Sequence, residues 1–189
     1  MSDRDRQRFS SADAWRAWLD ANHAASDGVW LEFAKKGSGE TTLSYDEALD
    51  GALAYGWIDS QVRRLDARFY LQRFTPRRTR SPWSKRNREL AEAMIAGGRM
   101  QPAGLAEVER AQADGRWERA YDSPANATVP DDLQAALDAS PKTAAFWETL
   151  NKQNRYAITY RLQDAKRPET RARRLEQFVA MLERGEKLH

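Results

Sequence analysis

The segment from Arg73 to Arg88 carries the residue types with the clearest chemistry in the sequence. It reads RFTPRRTRSPWSKRNR and contains seven basic side chains and no acidic one. Ser81 and Pro82 predict that a helix begins inside it, with the serine as N-cap and the proline at the first helical position. Guanidinium groups beside the free N–H groups of a helix start favour an anion, so the segment predicts a site for a phosphate, a carboxylate or a nucleic-acid backbone.

Within this segment, some side chains are candidate charge partners and others are candidate hydrogen-bond donors. We expect Arg73 and Arg77 to bind the anion and the hydroxyl groups of Ser81 and Ser84 to donate hydrogen bonds to it. Asn87 adds an amide donor within the first turns of the predicted helix. The alternative interpretation is a solvated charged surface, because arginine side chains are mostly exposed in proteins.

A second candidate group is the segment YGWIDSQ, residues 55–61, where a predicted helix stops at a glycine. Large aromatic rings can wall an apolar pocket, and we expect Trp57 or Trp83 to do so here. Asp59 is expected to hold an arginine of the basic segment in place. The two segments together would then form one anion-binding pocket.

Two other interpretations of the same residues remain open. Trp57 can be an ordinary core residue while Asp59 forms an ion pair with Arg73 or Arg77, since large aromatic side chains usually serve burial. An enzyme that uses Asp59 together with Arg73 and Tyr55 is the other possibility, although no feature of the sequence calls for catalysis.

The scarcity of other reactive side chains narrows the function further. The chain has 189 residues, no cysteine and two histidines, His23 and His189. A thiolate zinc site, a disulfide framework and a histidine-based metal or catalytic triad are therefore not predicted. The sequence also contains no phosphate-binding glycine loop and no dinucleotide fingerprint. We predict no cofactor, no metal ion and no catalytic residue.

Charge and hydropathy indicate the cellular compartment of the protein. No run of about 18 apolar residues is present, and charged residues stand where a signal peptide would place its apolar region. Together with the absence of cysteine, these features predict a cytoplasmic protein. Lysine and arginine number 31 against 28 acidic residues, a net charge of only +3, so the local basic segment is more informative than the average.

The elements that must position these residues are mostly helical. Strands are expected at residues 29–34 and 69–74, and we expect them to pair. A helix is expected to begin at Ser44, where Glu47 completes a capping box, and to end before Gly56. The form of the connection between residues 59 and 66 is left open by the sequence.

Beyond residue 76 the pattern is almost wholly helical. We predict an α+β fold, predominantly helical, with a small β-sheet in the N-terminal part and a helical C-terminal module. The expected organisation is an N-terminal part at 1–122, a linker at 123–129 and a helical module at 130–189, packed as one compact unit. Further helices are predicted from Ser10, from Pro82, and at 102–114, 130–139, 141–151, 156–165 and 168–184.

Several longer motifs resemble one bacterial family. They are LSYDEALDGALAYGWIDSQ, LDARFYLQRFTPRR, SPWSKRNRELAEAMIAGGRMQPAG, GRWERAY, VPDDLQAAL, AFWETL and AKRPETRARRLEQFVAMLERGEK. This combination is similar to the YdeI/OmpD-associated family, also called bacteriocin-protection proteins. The resemblance runs from Trp15 to Lys187, and YGWIDS followed by RFTPRR is its most specific part.

The resemblance implies a largely helical α+β protein linked to resistance against bacteriocins or cationic antimicrobial peptides. An association with an outer-membrane porin is implied by the family name, and no catalytic residue comes with it. The expected partner is a small anionic ligand, and nucleic acid bound by Arg73–Arg88 is the alternative. The positions that match the family pattern form the candidate ligand-binding set: Tyr55, Trp57, Asp59, Arg73, Thr75, Arg77, Ser81, Trp83, Ser84 and Asn87.

Overall fold

Eight helices and a four-stranded sheet make up the described part of this computed structural model, which comprises residues 6–123 and 126–188. The α+β class expected from the sequence is confirmed, with the sheet in the N-terminal part. The chain divides into two units: Met1–Trp83 with Asn87–Arg119, and Ser84–Arg86 with Ala120–His189. No helix among the described residues combines the length and the apolar character needed to cross a bilayer.

The elements follow one another along the chain in this order: β1 (Arg6–Gln7), α1 (Ala12–Asn22), β2 (Val29–Ala34), α2 (Tyr45–Ala54), β3 (Trp57–Arg64), β4 (Phe69–Pro76), α3 (Lys85–Ala96), α4 (Pro102–Ala113), α5 (Asp131–Asp138), α6 (Pro141–Thr149), α7 (Lys152–Gln163) and α8 (Pro168–Glu183).

The sheet has the strand order β1-β2-β4-β3. β2 pairs antiparallel with β4, with Trp30 opposite Arg73 and Leu31 opposite Gln72, which confirms the predicted pairing of these two strands. Side chains alternate between the two faces of a strand, so one face of the sheet carries Leu31 and Phe74. These residues pack with Trp15 of α1 in the core of the first unit.

β3 forms much of the connection between residues 59 and 66, for which the sequence predicted no defined structure. It pairs antiparallel with β4, and its register shifts at a bulge between Asp59 and Val62. The strand is polar along most of its length, and the side chain of Val62 is 65% exposed. An edge strand of this kind lacks the period-2 apolar pattern by which strands are usually identified.

α2 forms where its local signals predict it. The Ser44 hydroxyl accepts the backbone N–H of Glu47, and the Glu47 carboxylate accepts the backbone N–H of Ser44, so the predicted capping box is present. Gly56, just past the helix, has a φ of +74°, a conformation that favours glycine. α2 also lies close to α4. A Cβ atom built on Gly104 of α4 would lie only 2.3 Å from the carbonyl oxygen of Ala54 in α2.

Two of the helix starts predicted before residue 100 are wrong. The first helix is capped by Ser11 and not by Ser10, since the Ser11 hydroxyl accepts the N–H of Ala14. The helix expected at Ser81–Pro82 begins only at Lys85. In α4, the spacing of Leu105, Val108 and Ala111 predicts that all three face inward, but the side chain of Leu105 is exposed while the other two are buried.

The second unit contains α5 to α8, and their residue ranges agree approximately with those of the four C-terminal helices predicted. α7 begins at Lys152, four residues before the predicted start, because the side chain of Asn151 caps it. The core of this unit includes Trp147 from α6 and Leu182 from α8. Of the predicted linker 123–129, residues 124 and 125 lie outside the described part of the chain, as does His189.

Candidate anion-binding site

Trp57 is a core residue of the first unit. It is almost fully buried, and its indole N–H donates to the backbone carbonyl of His23 at 3.2 Å. Its ring meets that of Trp18 edge to face, with 5.8 Å between the centroids. The hydrogen-bonding capacity of the indole is thus used by the fold, and the side chain fits the structural interpretation of the sequence better than a pocket wall.

Asp59 binds a tyrosine and not an arginine. The Tyr45 hydroxyl donates to Asp59 Oδ2 at 2.9 Å. Asp59 lies opposite Phe74 in the register of β3 and β4, and Arg73 is the next residue along β4. Adjacent residues of a strand point to opposite faces, so the structure does not bring Asp59 and Arg73 together.

The Tyr55 side chain binds an acidic residue of α1. Its hydroxyl donates to Asp20 Oδ1 at 3.2 Å. Burial raises the pKa of Tyr55 above its ordinary value, and the negative charge of Asp20 raises it further. Tyr55 and Asp59 thus each bind another side chain of the first unit, Asp20 and Tyr45 respectively.

Arg73 and Thr75 both lie on β4 beside the backbone of Gly28. A Cβ atom built on Gly28 would lie 3.1 Å from Arg73 Nε and 2.8 Å from Thr75 Cγ2. Arg73 Nε is buried and has no hydrogen-bond partner among the described residues. This close approach explains why a residue without a side chain precedes β2.

Arg77 and Trp83 form the centre of a compact group. The guanidinium carbon of Arg77 lies 3.7 Å from the ring centroid of Trp83, a cation–π contact. On another side, the Trp83 ring meets that of Trp117 edge to face at 4.8 Å. We call Arg77, Trp83, Arg88, Arg116 and Trp117 the tryptophan–arginine cluster.

Backbone carbonyls hold the arginines of this cluster in place. Arg77 Nη1 donates to the carbonyl oxygen of Pro82 at 3.2 Å, and Arg116 Nη1 donates to that of Ser81 at 2.8 Å. Arg88 Nη1 donates to the carbonyl oxygen of Trp117 at 3.4 Å. The chain around Ser81–Trp83 is therefore fixed by side-chain donors and does not begin a helix there.

Buried donors without acceptors distinguish this cluster. Trp83 is 2% exposed and Arg116 8% exposed, and neither Trp83 Nε1 nor Arg116 Nη2 has a hydrogen-bond partner in the part of the chain that the structure describes. Arg88 Nε is likewise unsatisfied, lying 3.6 Å from Glu92 Oε1. A buried donor without a partner costs about 1–3 kcal/mol, so such groups normally meet a protein acceptor, an ordered water or an ion.

The remaining predicted donors have other roles. The Ser81 hydroxyl accepts the backbone N–H of Arg78 and closes a turn. Ser84 forms an isolated bridge with Tyr121 in the second unit. Asn87 is buried in the first turn of α3. Of the ten predicted site residues, Arg77 and Trp83 thus belong to the cluster, and the backbone of Ser81 supports it.

Arg116 and Trp117 were absent from the predicted set. They belong to the quoted motif GRWERAY, more than thirty residues after Trp83, and Arg116 is oriented by Asp114 at 2.8 Å. The available signal was that an arginine and a tryptophan stand side by side at residues 116 and 117. Only the tertiary fold shows that Arg116 contacts Ser81 and that Trp117 contacts Trp83. Within the described ranges, no three His, Cys, Asp or Glu side chains are grouped as metal ligands would be.

Two family models match the chain. The model described as "Domain of unknown function (DUF8412)" matches residues 7–107, more than half of the chain. The model described as "Bacteriocin-protection, YdeI or OmpD-Associated" matches residues 126–185, which confirms that resemblance for the C-terminal part. Neither the curated proteins nor the solved structures include a match. The chain therefore belongs to the DUF8412 family, and its residues 126–185 are similar to the YdeI/OmpD-associated proteins.

Proposed function

We propose that this protein binds a small oxyanion, with phosphate or carboxylate oxygens as acceptors, at the tryptophan–arginine cluster. The observation that carries the proposal is the pair of buried donors, Trp83 Nε1 and Arg116 Nη2, for which residues 6–123 and 126–188 offer no acceptor. An oxyanion has several acceptor oxygens, and charge-assisted hydrogen bonds from guanidinium are among the stronger ones in proteins.

The local charge supports an anion more than a neutral ligand. Arg116 is buried, which is unusual for a charged side chain unless its charge is compensated. The carboxylate of Asp114, which binds Arg116, is half exposed, so solvent screens part of its charge. A buried oxyanion would compensate the guanidinium charges more directly.

The manner of binding differs from the one expected from sequence. With α3 beginning at Lys85, the anion is held by side-chain donors and not by the amides of a helix start at Ser81. The role of Trp83 changes accordingly, from a wall that stacks on the ligand to a donor through its indole N–H. Arg77 orients the Trp83 ring by lying over it.

Thermal unfolding in the presence of phosphate or sulfate tests the proposal. An anion that binds only the native state raises the midpoint by RT ln(1 + [L]/Kd), so we expect the wild-type midpoint to rise with anion concentration. Chloride at matched ionic strength is the reference, because it separates binding from general screening.

Two variants localise the effect. Trp83→Phe keeps an aromatic ring but removes the indole donor, and Arg116→Gln removes the guanidinium; both are expected to abolish most of the midpoint rise. Trp147→Phe changes a buried tryptophan of the second unit and is expected to respond like the wild type.

An empty, purely structural cluster gives the opposite pattern. Replacing an unsatisfied buried donor by an apolar group of similar shape is neutral or stabilising, so Trp83→Phe would then be at least as stable as the wild type at every anion concentration. The absence of a phosphate- or sulfate-specific rise in the wild type would also overturn the proposal.

A further inference from the structure

The first unit contains a cavity that none of the ten predicted site residues lines. Its volume is about 390 Å³, within the range of roughly 300–1,000 Å³ that is typical of small-molecule sites. It lies where the end of β2, the loop at residues 35–44 and the start of α2 come together. We call it the tyrosine cavity, because Tyr45 and Tyr70 line it together with Phe33 and this loop.

Three aromatic rings form one side of the tyrosine cavity. The Tyr70 ring stacks on that of Phe33, with 5.3 Å between the centroids, and the Tyr45 ring meets Phe33 edge to face at 6.5 Å. Phe33 is almost fully buried, whereas the two tyrosines are half-buried. Such a wall favours a planar aromatic ligand, because pairs of aromatic rings gain stabilisation beyond the burial of their surface.

The loop beside the cavity is held in place along its length. At its start, the backbone N–H of Lys35 donates to the carbonyl oxygen of Arg68 at 2.8 Å. The Glu40 carboxylate binds the Arg68 guanidinium at 2.7 Å. Near its end, the Thr42 hydroxyl accepts the backbone N–H of Ala34 at 2.9 Å. The cavity is thus formed in the free protein, which lowers the entropy lost when a ligand binds.

The charged side chains that line the cavity give it a positive rim. They are Lys35, Lys36 and Glu40, and the carboxylate of Glu40 is already paired with Arg68. The Lys35 ammonium donates to the backbone carbonyl of Asp66, a neutral acceptor that leaves its charge in place. The Lys36 side chain is exposed, and no carboxylate among the described residues binds it. An anionic group on the ligand is therefore favoured at the rim.

The neighbouring groups agree with this charge preference. Neither acidic residue in the first turn of α2, Asp46 or Glu47, lines the cavity. The Glu47 carboxylate accepts the N–H of Ser44 in the capping box. On the aromatic wall, the Tyr70 hydroxyl has no hydrogen-bond partner in residues 6–123 and 126–188, so it can donate to an acceptor on the ligand.

We propose that the tyrosine cavity binds a small aromatic carboxylate, with the ring of the ligand against Tyr70 and Tyr45 and its carboxylate at Lys36. A ligand with only the ring leaves the ammonium without a counter-charge, and a ligand with only the charge leaves the aromatic wall in contact with water. The proposal does not depend on the tryptophan–arginine cluster, which consists of other residues.

Isothermal titration calorimetry with three probes in phosphate buffer tests the proposal. 2-Naphthoate has the ring and the charge, 2-naphthamide has the ring alone, and cyclohexanecarboxylate has the charge without an aromatic ring. We expect 2-naphthoate to bind about fivefold more tightly than either of the other probes. Phosphate occupies the tryptophan–arginine cluster if that cluster binds oxyanions, so heat from a carboxylate bound there does not enter the comparison.

Two variants separate the contributions of charge and ring. Lys36→Gln should weaken the binding of 2-naphthoate about fivefold and leave that of 2-naphthamide unchanged, because it removes only the charge. Tyr70→Leu should weaken the binding of both naphthalene probes about fivefold, because it removes a stacking ring. Lys142→Gln is the matched control: it removes an exposed lysine of the second unit and should bind all three probes like the wild type.

A further variant keeps the test decisive if Tyr70→Leu does not fold. Tyr70→Phe retains the ring on Phe33 and lacks the hydroxyl, and it should weaken the binding of 2-naphthoate about threefold.

Three outcomes would overturn the proposal. The first is no binding of 2-naphthoate by the wild type up to the solubility limit of the probe. The second is an affinity for 2-naphthamide or cyclohexanecarboxylate equal to that for 2-naphthoate, since the cavity would then not select for both ring and charge. The third is 2-naphthoate binding that remains unchanged in Lys36→Gln and in the Tyr70 variants, which would place the ligand elsewhere on the protein.

Discussion

Arg171 holds Asp132 through two parallel hydrogen bonds, from Nε to Oδ2 at 2.7 Å and from Nη2 to Oδ1 at 2.8 Å. The same guanidinium donates through Nη1 to the carbonyl oxygen of Leu162 at 2.8 Å. One side chain thus connects the first turn of α5, the end of α7 and the start of α8. The two-pronged geometry is the arrangement in which an arginine–carboxylate pair is most specific.

Acid is therefore expected to weaken the second unit through Asp132. The side-chain hydrogen bonds from Arg171 hold the pKa of Asp132 below its usual value. A carboxylate with a lowered folded-state pKa stabilises the fold above its unfolded pKa of about 3.9, and this contribution is lost as pH falls through the folded-state pKa. Asp132→Asn should cost about 1 kcal/mol at neutral pH, since partly exposed ion pairs contribute at most about that much.

Urea unfolding measured at neutral pH and at about pH 3 checks this expectation. The difference between wild type and Asp132→Asn should shrink at the lower pH. The neighbouring Asp131 is exposed at the same helix start, so Asp131→Asn is the matched control and should change stability little. Equal effects of the two substitutions would contradict the assignment.

Gly104 allows α2 and α4 to approach each other. In Gly104→Ala, the new Cβ would lie 2.3 Å from the Ala54 carbonyl oxygen and 2.5 Å from Met100 Sδ. Alanine would gain about 1 kcal/mol of helix propensity, but the collision with backbone should outweigh it and leave a net loss of about 2–3 kcal/mol.

Gly37→Ala is the comparison, because its φ is +81° and its Cβ would meet no atom within 4 Å. It should cost only about 1 kcal/mol, from backbone strain alone. A Gly104→Ala protein as stable as wild type, by thermal or urea unfolding, would contradict the close packing.

Tyr156 is expected to titrate last among the tyrosines. Burial raises its pKa to about 12, with a further contribution from the neighbouring Tyr121. Its hydroxyl donates to the backbone carbonyl of Asp122 at 3.1 Å. Because the pKa of Tyr156 in the folded state lies above its unfolded value of about 10, its contribution to stability is complete below about pH 10 and is lost as pH rises toward 12.

Ultraviolet absorbance of tyrosinate should show a final step near pH 12 in the wild type. That step should be missing from Tyr156→Phe, and an unchanged titration curve would argue against a buried hydroxyl.

Glu32→Gln measures how much one buried carboxylate contributes to the stability of the sheet. The carboxylate is buried and binds Arg6 and Arg8, so its loss should cost about 2–3 kcal/mol, somewhat less than for a fully buried pair. Urea unfolding at neutral pH measures the loss of stability. A Glu32→Gln protein as stable as the wild type would contradict this contribution of the carboxylate.

The sequence predicted correctly those elements whose signals lie within a short segment of the chain. The capping box of Ser44 and Glu47 lies within three residues, and the paired strands β2 and β4 are rich in apolar and aromatic residues. Both features depend on residue types close together in sequence. They were therefore predictable without knowledge of the tertiary fold.

Other features depend on contacts that no short segment encodes. The Ser81–Pro82 pattern predicts a helix, but Arg77 and Arg116 bind the carbonyls of this segment and Trp83 is buried between rings and guanidinium groups. β3 is polar and forms because β4 offers it an unpaired edge. For the same reason, Arg116 could not be joined to the candidate site before the fold was known.

The tryptophans are distributed unequally between the two units. Six of the seven lie in the first unit, and Trp147 is the one in the second. In the first unit, Trp15 stacks on Trp18 at 5.3 Å, and Trp18 meets Trp57 at 5.8 Å, so near-ultraviolet circular dichroism of the protein should be dominated by coupled rings from that unit. Subtracting the emission of Trp147→Phe from that of the wild type isolates the signal of the second unit. The molecule thus carries its own optical measure of whether it unfolds in one cooperative step or in two.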